Sequence, residues 1–395
     1  MIPRRKAYMY PGERRDIAKW RREGPAAETV ATLERAVADN VGVPGAAAVS
    51  SGRLGMTLIL EHIGVDSGDE VIIPAYTLKD LVPLIQALGA RVVPADVDPE
   101  TFAMSPDAVA ERVTPRTKAI IALHPFGLPC AIRPIVSMAE RRGIPVIEDC
   151  AHSLGATVQG HQTGSFGYAG FFSFETTKPV NTFGGGMVVS QDMRLLDRVR
   201  EHNAAGANNA DPFLGKVRAV RLERFMFSTR LAFLPLYLLA SPSLKGLVER
   251  LYRSALHAPP ATIRYAPIQA ELGLRKLNTL AGRIRDRAEK AALLRELLDT
   301  RVRAQRIAQG CEPAWYFFVA LLPCTPVRVR KRLLLRGIDA GIEDEVADDC
   351  AALLEHIDCP NARGIYSHAI ALPLYEGITE RAIRKTARVL NSLLP

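Results

Sequence analysis

The stretch that decides the fold is VIEDCAHSLGATVQGHQTGSFGYAGFFSFETTKPVNTFGGGMVVS, which runs from Val146 to Ser190. Three short apolar runs in it, VIED, YAGFFSF and GGMVVS, are bounded by Gly, Pro or Asp, as strands are. Four similar runs precede it, namely AAAVSS (46–51), DEVIIPAY (69–76), ARVVPADV (90–97) and TKAIIALH (117–124). Helix-like periods separate several of these runs. Strands that alternate with helices predict an α/β domain with a mostly parallel, seven-stranded sheet flanked by helices.

Small and polar residues follow several of these strands, at the sheet edge where α/β proteins bind ligands. Ser51 and Gly52 lie between a strand and a helix, where the backbone can approach a phosphate at the helix N-terminus. A turn of this kind is also common as a plain helix N-cap. Asp149 ends the strand VIED, and it could pair with a protonated ring nitrogen of a bound heteroaromatic group or cap a helix.

An aromatic strand delivers Ser173 and then Lys178, just before the glycine-rich turn Phe183–Gly186. Burial beside aromatic side chains lowers the pKa of an amine and makes it a nucleophile suited to Schiff-base formation. A lone lysine after a strand is more often simply solvated. Ser173 could donate a hydrogen bond to the same phosphate as the turn at Ser51 and Gly52.

The order of these features is that of pyridoxal-phosphate enzymes with the aspartate-aminotransferase fold. The chain from Gly24 to Val189 resembles the DegT/StrS family of sugar aminotransferases, and the resemblance resumes at Tyr265–Leu274 and at ALPLYEGIT near the C-terminus. The matching segments include VSSGRLGMTLIL, GDEVIIPAYT, VIEDCAHSLGA and GSFGYAGFFSFETTKPVNTFGGGMVVSQD. The resemblance implies a pyridoxal-phosphate-binding large domain, a smaller C-terminal α+β domain and a homodimer with a shared active site.

The resemblance also implies roles around the pyridine ring. Lys178 would form the Schiff base with the cofactor and then carry the proton between substrate and cofactor carbons. Asp149 would pair with the pyridinium nitrogen, and His152 would lie beside the ring and its hydroxyl. Many relatives stack an aromatic ring on the cofactor two residues after the position of Tyr76. This chain has Leu78 there, so either Tyr76 substitutes or the cofactor packs on aliphatic carbon.

On the phosphate side, the resemblance assigns Ser173, Gly52 and Arg53 as binding residues. Relatives carry a threonine or a similar small residue where Arg53 stands, so this position departs from the family pattern. Arg264 falls where relatives have an Asn or Arg that reaches the phosphate in the neighbouring subunit. A second departure is GIEDEVADD (341–349), which replaces a segment that usually holds a substrate-contacting histidine.

The domain boundaries that we predict are a basic N-terminal segment at 1–24, a large domain at 25–265 and a small domain at 266–395. Residues 1–24 hold eight Lys/Arg against three acids, and the whole chain has a net charge of +9. We expect the first segment to be a solvated, Arg-rich surface. No helix-turn-helix, zinc finger or aromatic-interleaved basic stripe points to nucleic acid.

An apolar and basic insertion occupies about 210–260, and it has two interpretations. It is either a dimer or lid element with buried apolar residues, or a segment, 225–239, that lies at a membrane surface or admits a lipid-bearing substrate. Its longest uncharged apolar run is ten residues long, Leu231–Ala240, which is too short to span a bilayer. The six cysteines form no CxxC pair, so neither a disulfide framework nor a metal site is predicted. With no secretory signal, the chain is expected in the cytoplasm.

These features predict a pyridoxal-phosphate-dependent aminotransferase. By resemblance, the amino donor is glutamate or glutamine and the acceptor a keto sugar, most often nucleotide-linked. One alternative is an aminotransferase or dehydratase that acts on a non-sugar or lipid-linked ketone. The other is a non-catalytic cofactor-binding or membrane-docking protein, against which the intact Lys178, Asp149 and Ser173 argue. The acceptor, the aminated carbon and the stereochemistry are not set by the sequence.

Overall fold

The computed structural model describes residues 1–395 except 25, 27, 230–262 and 356–357. The helices are α1 Glu13–Glu23, α2 Thr29–Val41, α3 Gly52–His62, α4 Leu81–Gln86, α5 Pro106–Arg112, α6 Ile132–Glu140, α7 Met193–Ala205, α8 Asp211–Thr229, α9 Pro267–Leu277, α10 Leu280–Leu297, α11 Pro326–Leu335, α12 Cys350–Leu354, α13 Pro360–His368 and α14 Glu380–Asn391. Single 3₁₀ turns lie at Pro125–Gly127 and Glu343–Glu345.

The strands are short, and most of them are fully buried. They are β1 Gly45–Val49, β2 Glu70–Pro74, β3 Tyr76–Thr77, β4 Arg91–Ala95, β5 Thr117–Leu123, β6 Val146–Asp149, β7 Thr157–Val158, β8 His161–Gln162, β9 Ala169–Ser173, β10 Gly186–Ser190, β11 Arg303–Ala304, β12 Cys311–Glu312, β13 Phe318–Leu321, β14 Gly341–Ile342, β15 Asp348–Asp349 and β16 Ala369–Leu372.

Seven of these strands form the main sheet in the order β1-β10-β9-β6-β5-β2-β4. Six of them run in the same direction, and β10 alone runs opposite, so it pairs antiparallel with both of its neighbours, β1 and β9. The sequence prediction of a mostly parallel, seven-stranded α/β sheet is therefore confirmed. Apolar runs such as EVIIP and TKAIIAL are buried on both faces, because helices cover the sheet on each side.

The register of the sheet brings three parts of the sequence to one edge. Leu123 and Asp149, the last residues of β5 and β6, lie side by side, and Asp149 pairs with Phe171, two residues before the end of β9. Ser173 pairs with Gly186 on the antiparallel neighbour, so the glycine-rich turn folds back over the same edge. The predicted polar side chains thus share one rim.

The C-terminal part contains a second, four-stranded sheet in the order β11-β13-β16-β14, whose three strand pairs are all antiparallel. Helices α10, α11 and α14 contribute to its core. The expected helical stretch 269–300 is in fact two helices, which are separated at Asn278 and Thr279. The domain boundary that we predict near residue 265 stays a prediction.

The described part of the insertion is the helix α8. Its residues Phe213, Val217 and Val220 recur at helical spacing and are buried against Ala7 and Ile17 of the N-terminal segment. Most of the 225–239 segment lies outside the described residues. No helix in the described part of the chain is long and apolar enough to cross a membrane.

The N-terminal segment differs from the solvated surface that its charge suggested. Pro3, Ala7, Glu13 and Ile17 are buried, and residues 13–23 form α1. Most of its basic side chains are nevertheless exposed, because they lie on the outer face of α1. The segment is therefore an integral part of the fold with a basic outer surface.

Candidate active site

A small pocket opens at the carboxyl edge of the main sheet. Strands β3, β5 and β6 form its floor, and the loop before β15 closes it from the C-terminal part of the chain. Residues that line it include Tyr76, Leu78, Phe126, Asp149, His152 and Val346.

Asp149 is the last residue of β6 and is buried. Its Oδ1 accepts a hydrogen bond from the Ala151 amide at 3.0 Å. Burial raises the pKa of Asp149 to about 6, and the Ala151 N–H and the Lys178 charge oppose this rise. A buried carboxyl with so few partners favours a cationic ligand.

Lys178 lies in the turn after β9, where its amide donates to the Glu175 carbonyl at 2.9 Å. Its Nζ is 4.3 Å from the centre of the Tyr316 ring. Its positive charge acts on both Asp149 and His152. The structure therefore brings the predicted lysine, aspartate and histidine into one electrostatic environment.

His152 is buried between aromatic rings. Its ring stacks on Tyr316 at a centroid distance of 4.4 Å and on Phe126 at 6.2 Å. Its Nδ1 accepts a hydrogen bond from the Phe126 amide at 3.3 Å, which leaves the proton of a neutral ring on Nε2. Burial, with a smaller effect of the Lys178 charge, lowers the pKa of His152 well below its ordinary value. His152 is thus a neutral donor at neutral pH.

Tyr316 is a residue of this site that sequence reasoning missed. Its hydroxyl lies 2.8 Å from Oγ1 of Thr177, next to Lys178. Burial alone would raise the pKa of Tyr316, but the charges of Lys178 and Arg5 bring it below its ordinary value. The only signal in the sequence was a single hydroxyl-bearing residue in the apolar run WYFFVALL.

Gly127 is what allows Tyr316 to approach the histidine. It has a φ of +89°, and a Cβ at this position would lie 2.7 Å from the Tyr316 amide and 2.9 Å from the His152 carbonyl. Any side chain would clash with backbone atoms on both sides, which cannot move away as a flexible side chain can. The stack of His152 on Tyr316 therefore depends on a glycine between them.

The predicted phosphate side lies at the N-terminus of α3. Ser51 caps this helix by accepting from the Leu54 amide at 3.2 Å. The earlier amides of Gly52 and Arg53 precede the first intrahelical bond and can serve an anion. A Cβ on Gly52 would meet the Phe172 carbonyl at 3.1 Å and Cβ of Ser173 at 3.4 Å. Glycine thus allows the N-terminus of α3 to pack closely on β9 beside Ser173, and this junction is the candidate phosphate cradle.

Three other predicted site residues lie outside this cradle. Arg53 forms an ion pair with Asp80 at 2.5 Å, and both side chains are about half exposed. Arg264 is exposed, and its amide donates to the Ala207 carbonyl. Tyr76 is buried in the pocket wall, 6.1 Å from the Phe126 ring, and its hydroxyl has no hydrogen-bond partner among the described residues. The locations of Arg53, Arg264 and Tyr76 in the structure do not test the cofactor-binding roles that we predicted for them.

The insertion contacts the loop after β9 that carries Lys178, which we call the lysine loop. Lys216 of α8 pairs with both carboxylate oxygens of Glu175, at 2.8 and 2.6 Å. Glu175 lies between Ser173 and Lys178 in sequence, so this pair connects α8 to the site.

A buried group behind the pocket has the composition of a metal site. His124, Glu148 and Cys150 bring their ligand atoms within 4.8 Å of one another. The Glu148 carboxylate, however, accepts from the amides of Gly164, Phe166 and Gly167 as well as bonding to His124. Glu148 therefore fixes the loop before β9 and supports the floor of the pocket.

The sequence pattern of the DegT/DnrJ/EryC1/StrS aminotransferase family matches residues 16–391. The chain belongs to this family. The resemblance described above is thereby confirmed, and it extends over nearly the whole chain.

Individual relatives agree with this assignment. The chain is 36% identical over 217 residues to L-glutamine:2-deoxy-scyllo-inosose aminotransferase of Streptomyces fradiae, which is 54% of this chain and 51% of that protein. The chain thus spans about half the length of this curated relative.

Among solved structures, the aminotransferase TlmJ of Streptoalloteichus hindustanus superposes with a TM-score of 0.80 at 23% identity, over 99% of this chain and 98% of its own. 3-Amino-5-hydroxybenzoic acid synthase superposes with a TM-score of 0.76 at 24% identity, over 98% and 97% of the two chains. Likenesses at this level of identity support the fold.

Proposed function

We propose that this member of the DegT/DnrJ/EryC1/StrS family is a pyridoxal-phosphate-dependent aminotransferase. It moves an amino group from glutamate or glutamine to a keto sugar, and we propose a nucleotide-linked one. The observation that carries the proposal is the placement of Asp149 and His152 in one pocket, where the charge of Lys178 acts on both, with the N-terminus of α3 packed on the neighbouring strand β9. The relative from Streptomyces fradiae, named for L-glutamine and an inosose, supports the choice of donor and acceptor class.

The residues present fit the cofactor. Asp149 is a buried carboxyl whose pKa is raised to about 6, and a protonated ring nitrogen would supply the counter-charge that it lacks. The close packing that Gly52 allows brings the first turn of α3 next to Ser173, and the helix amides and the serine hydroxyl are donors of the kind that a phosphate needs. Ser173 and the first amides of α3 would hold the phosphate.

Bound pyridoxal phosphate supplies an electron sink for the charge that develops on the substrate carbon. Asp149 would hold a proton on the ring nitrogen, because a cation beside this buried carboxyl would stabilise its ionised form. His152 offers its Nε2–H from one side, fixed in this tautomer by the Phe126 amide. Lys178 removes and returns the proton at the substrate carbon. The buried rings of Tyr316 and Phe126 exclude water from the region between these groups.

We also propose the homodimer that the family resemblance implied. Arg264 is exposed in the protomer, as a residue would be that reaches the phosphate of a neighbouring active site. Gel filtration with light scattering tests this, and a monomer that is fully active would contradict it.

The decisive experiment is an absorption spectrum of the purified protein loaded with pyridoxal phosphate, before and after borohydride. We expect a visible band that borohydride removes, and a reduced cofactor attached to the peptide that contains Lys178. Addition of glutamate should bleach the band before reduction, and a keto sugar should restore it. No band after loading would contradict the proposal and favour the non-catalytic alternative.

A second candidate, action on a lipid-linked ketone at a membrane surface, is favoured by one observation. Leu222 of α8 is 61% exposed and lies beside the exposed Arg218 and Arg221, as in an interfacial helix. Co-sedimentation with vesicles of anionic phospholipid tests it. We would compare L222Q with L335Q, because Leu335 is a similarly exposed leucine, 63% exposed, on a different helix, α11. Binding that only L222Q weakens supports this candidate, and no binding by the wild type contradicts it.

A further inference from the structure

The first residues of the chain are fixed on the C-terminal part. The Ile2 amide donates to the Gly337 carbonyl at 2.8 Å, and the Ile2 carbonyl accepts from the Asp339 amide at 2.9 Å. The Arg4 amide then donates to Oδ2 of Asp339 at 3.2 Å, and the Arg4 guanidinium pairs with Glu345 at 3.2 Å. These contacts fix residues 2–4 against residues 337–345 of the C-terminal part.

A few residues later, the same segment is fixed on the lysine loop. The Tyr8 carbonyl accepts from Nδ2 of Asn181 at 3.0 Å. The Arg283 guanidinium lies 4.2 Å over the Tyr8 ring and donates to the carbonyl of Pro179, the residue after Lys178. Residues 5–7 therefore cross from the C-terminal part to the loop that carries Lys178.

Arg5 lies in the middle of this crossing. Its side chain is half-buried and makes no hydrogen bond or ion pair with the residues that the structure describes. Its positive charge nevertheless acts on the Tyr316 hydroxyl, whose ring lies under the Lys178 amine. The Arg4 guanidinium, by contrast, already forms an ion pair with Glu345, and the charge of Asp339 also acts on it.

The surroundings of Arg5 carry an excess of positive charge. Arg224 of α8 donates to the Ala7 carbonyl at 3.3 Å, and its charge, after burial, lowers the pKa of Lys6. The acidic group that faces Arg5 is Glu223, whose own pKa burial raises. Cations that lie close together along this part of the chain favour an anionic ligand.

We propose that Arg5 binds the carboxylate of the amino donor, the one on the same carbon as the reacting amine. This inference rests on the proposed function, in which glutamate or glutamine brings that carboxylate to Lys178. An arginine fork matches a carboxylate with two parallel hydrogen bonds, so it would orient the donor as well as attract it. The contacts of Arg4 and Tyr8 would hold the backbone of Arg5 in place for this task.

The test uses the loaded enzyme and the variants R5Q and R5K. The donor half-reaction with L-glutamate is followed by the loss of the visible band, which gives an apparent dissociation constant and a limiting rate. We expect R5Q to raise that constant about 10- to 100-fold, the range for a hydrogen bond to a charged group. The limiting rate should change less, and R5K should restore part of the affinity.

A readout without turnover is the binding of glutarate, a dicarboxylate that lacks an amine, measured by calorimetry. R5Q should lose affinity for glutarate and keep its affinity for inorganic pyrophosphate, the probe for a nucleotide-linked acceptor. The matched control is R21Q, which removes one charge from an exposed position on α1. Thermal unfolding checks that R5Q and R21Q both remain folded.

The outcomes separate this inference from the proposed function. A wild type that binds the cofactor but never reacts with glutamate or glutamine contradicts the proposed donor. A reactive wild type with R5Q unchanged in glutamate and glutarate affinity overturns the role of Arg5. Loss of pyrophosphate affinity alone in R5Q overturns it too, since the anion would then belong to the acceptor.

Discussion

Two lysines near the same loop have opposite environments. Lys276 is completely buried, and its Nζ bonds to Glu13 at 3.1 Å and to the carbonyl and side-chain oxygens of Asn181, each at 2.9 Å. Lys178, three residues before Asn181, is half-buried and has an aromatic ring and a hydroxyl close by. Among the described residues, no carboxylate forms an ion pair with it. A buried cation with a full set of acceptors stabilises the fold, whereas one with an incomplete set is available for chemistry.

The first prediction concerns Lys178, the lysine that lacks a full set of hydrogen-bond acceptors. K178A should lower the rate of amino transfer by about 10⁴-fold, the upper end of what a positioned proton-transfer group contributes. Its free energy of unfolding should change by less than ~1 kcal/mol, since few interactions are lost. The assay is amino transfer from glutamate to a keto sugar, together with urea unfolding. A variant that retains a tenth of the activity would show that another group moves the proton.

The second prediction concerns Lys276, the lysine with a full set of hydrogen-bond acceptors. K276M should lower the free energy of unfolding by about 3–5 kcal/mol, because Glu13 would remain buried without a counter-charge. Burial already lowers the pKa of Lys276 to about 8, although Glu13 opposes this. Urea unfolding measures the loss, with the exposed Lys331 as a control in K331M. The double variant E13L/K276M should recover part of the stability.

If K276M proved as stable as K331M, the contrast between the two lysines would not hold. An effect confined to activity would also contradict it, because neither Lys276 nor its partners Glu13 and Asn181 line the pocket. Partial recovery in the double variant would identify the unpaired Glu13 carboxylate as the cause of the loss.

The third prediction uses the pKa of Asp149, which burial raises to about 6. In the unfolded chain an aspartate releases its proton near pH 4, whereas in the folded, cofactor-free protein Asp149 keeps it to about pH 6. Folded protein therefore binds the extra proton between these values, and stability falls as pH rises through this window. Above pH 6 the penalty is constant, of the order of 3 kcal/mol for about two pKa units.

D149N has no such penalty. Without the cofactor, we expect D149N and wild type to be equally stable near pH 4 and the variant to be more stable above about pH 6. Urea midpoints at several pH values measure this. Loading the cofactor should close the gap, because a ring nitrogen then stabilises the carboxylate. A stability difference that did not vary with pH would mean that Asp149 is ionised in the empty pocket.

The fold and half of the site could be predicted from the sequence because their signals are local. Strand-like runs and the residues that end them, such as Asp149, are neighbours in the chain, and so are Ser173 and Lys178. Tyr316 and Arg5 could not be found in this way. Tyr316 precedes a strand of the second sheet and Arg5 lies near the N-terminus, so only tertiary packing brings the Tyr316 ring to Lys178 and the charge of Arg5 to act on Tyr316.

The smallest expected effect concerns Arg53, which the sequence placed at the phosphate. It is paired with Asp80 and half exposed, and exposed ion pairs contribute less than ~1 kcal/mol. R53Q should therefore leave the free energy of unfolding almost unchanged. If the α3 amides and the Ser173 hydroxyl hold the phosphate, R53Q should also weaken cofactor binding far less than S173A, for which we expect about a tenfold loss.

Titration of cofactor-free protein with pyridoxal phosphate, followed by absorbance, compares these two variants directly. Equal losses in R53Q and S173A would mean that the guanidinium leaves Asp80 and contacts the phosphate when the cofactor binds. That result would place Arg53 with Lys178, as a cation held ready for a ligand. A small loss of cofactor affinity in R53Q would instead mean that Arg53 stays paired with Asp80. Arg53 would then be a structural cation at the surface, as Lys276 paired with Glu13 is in the interior.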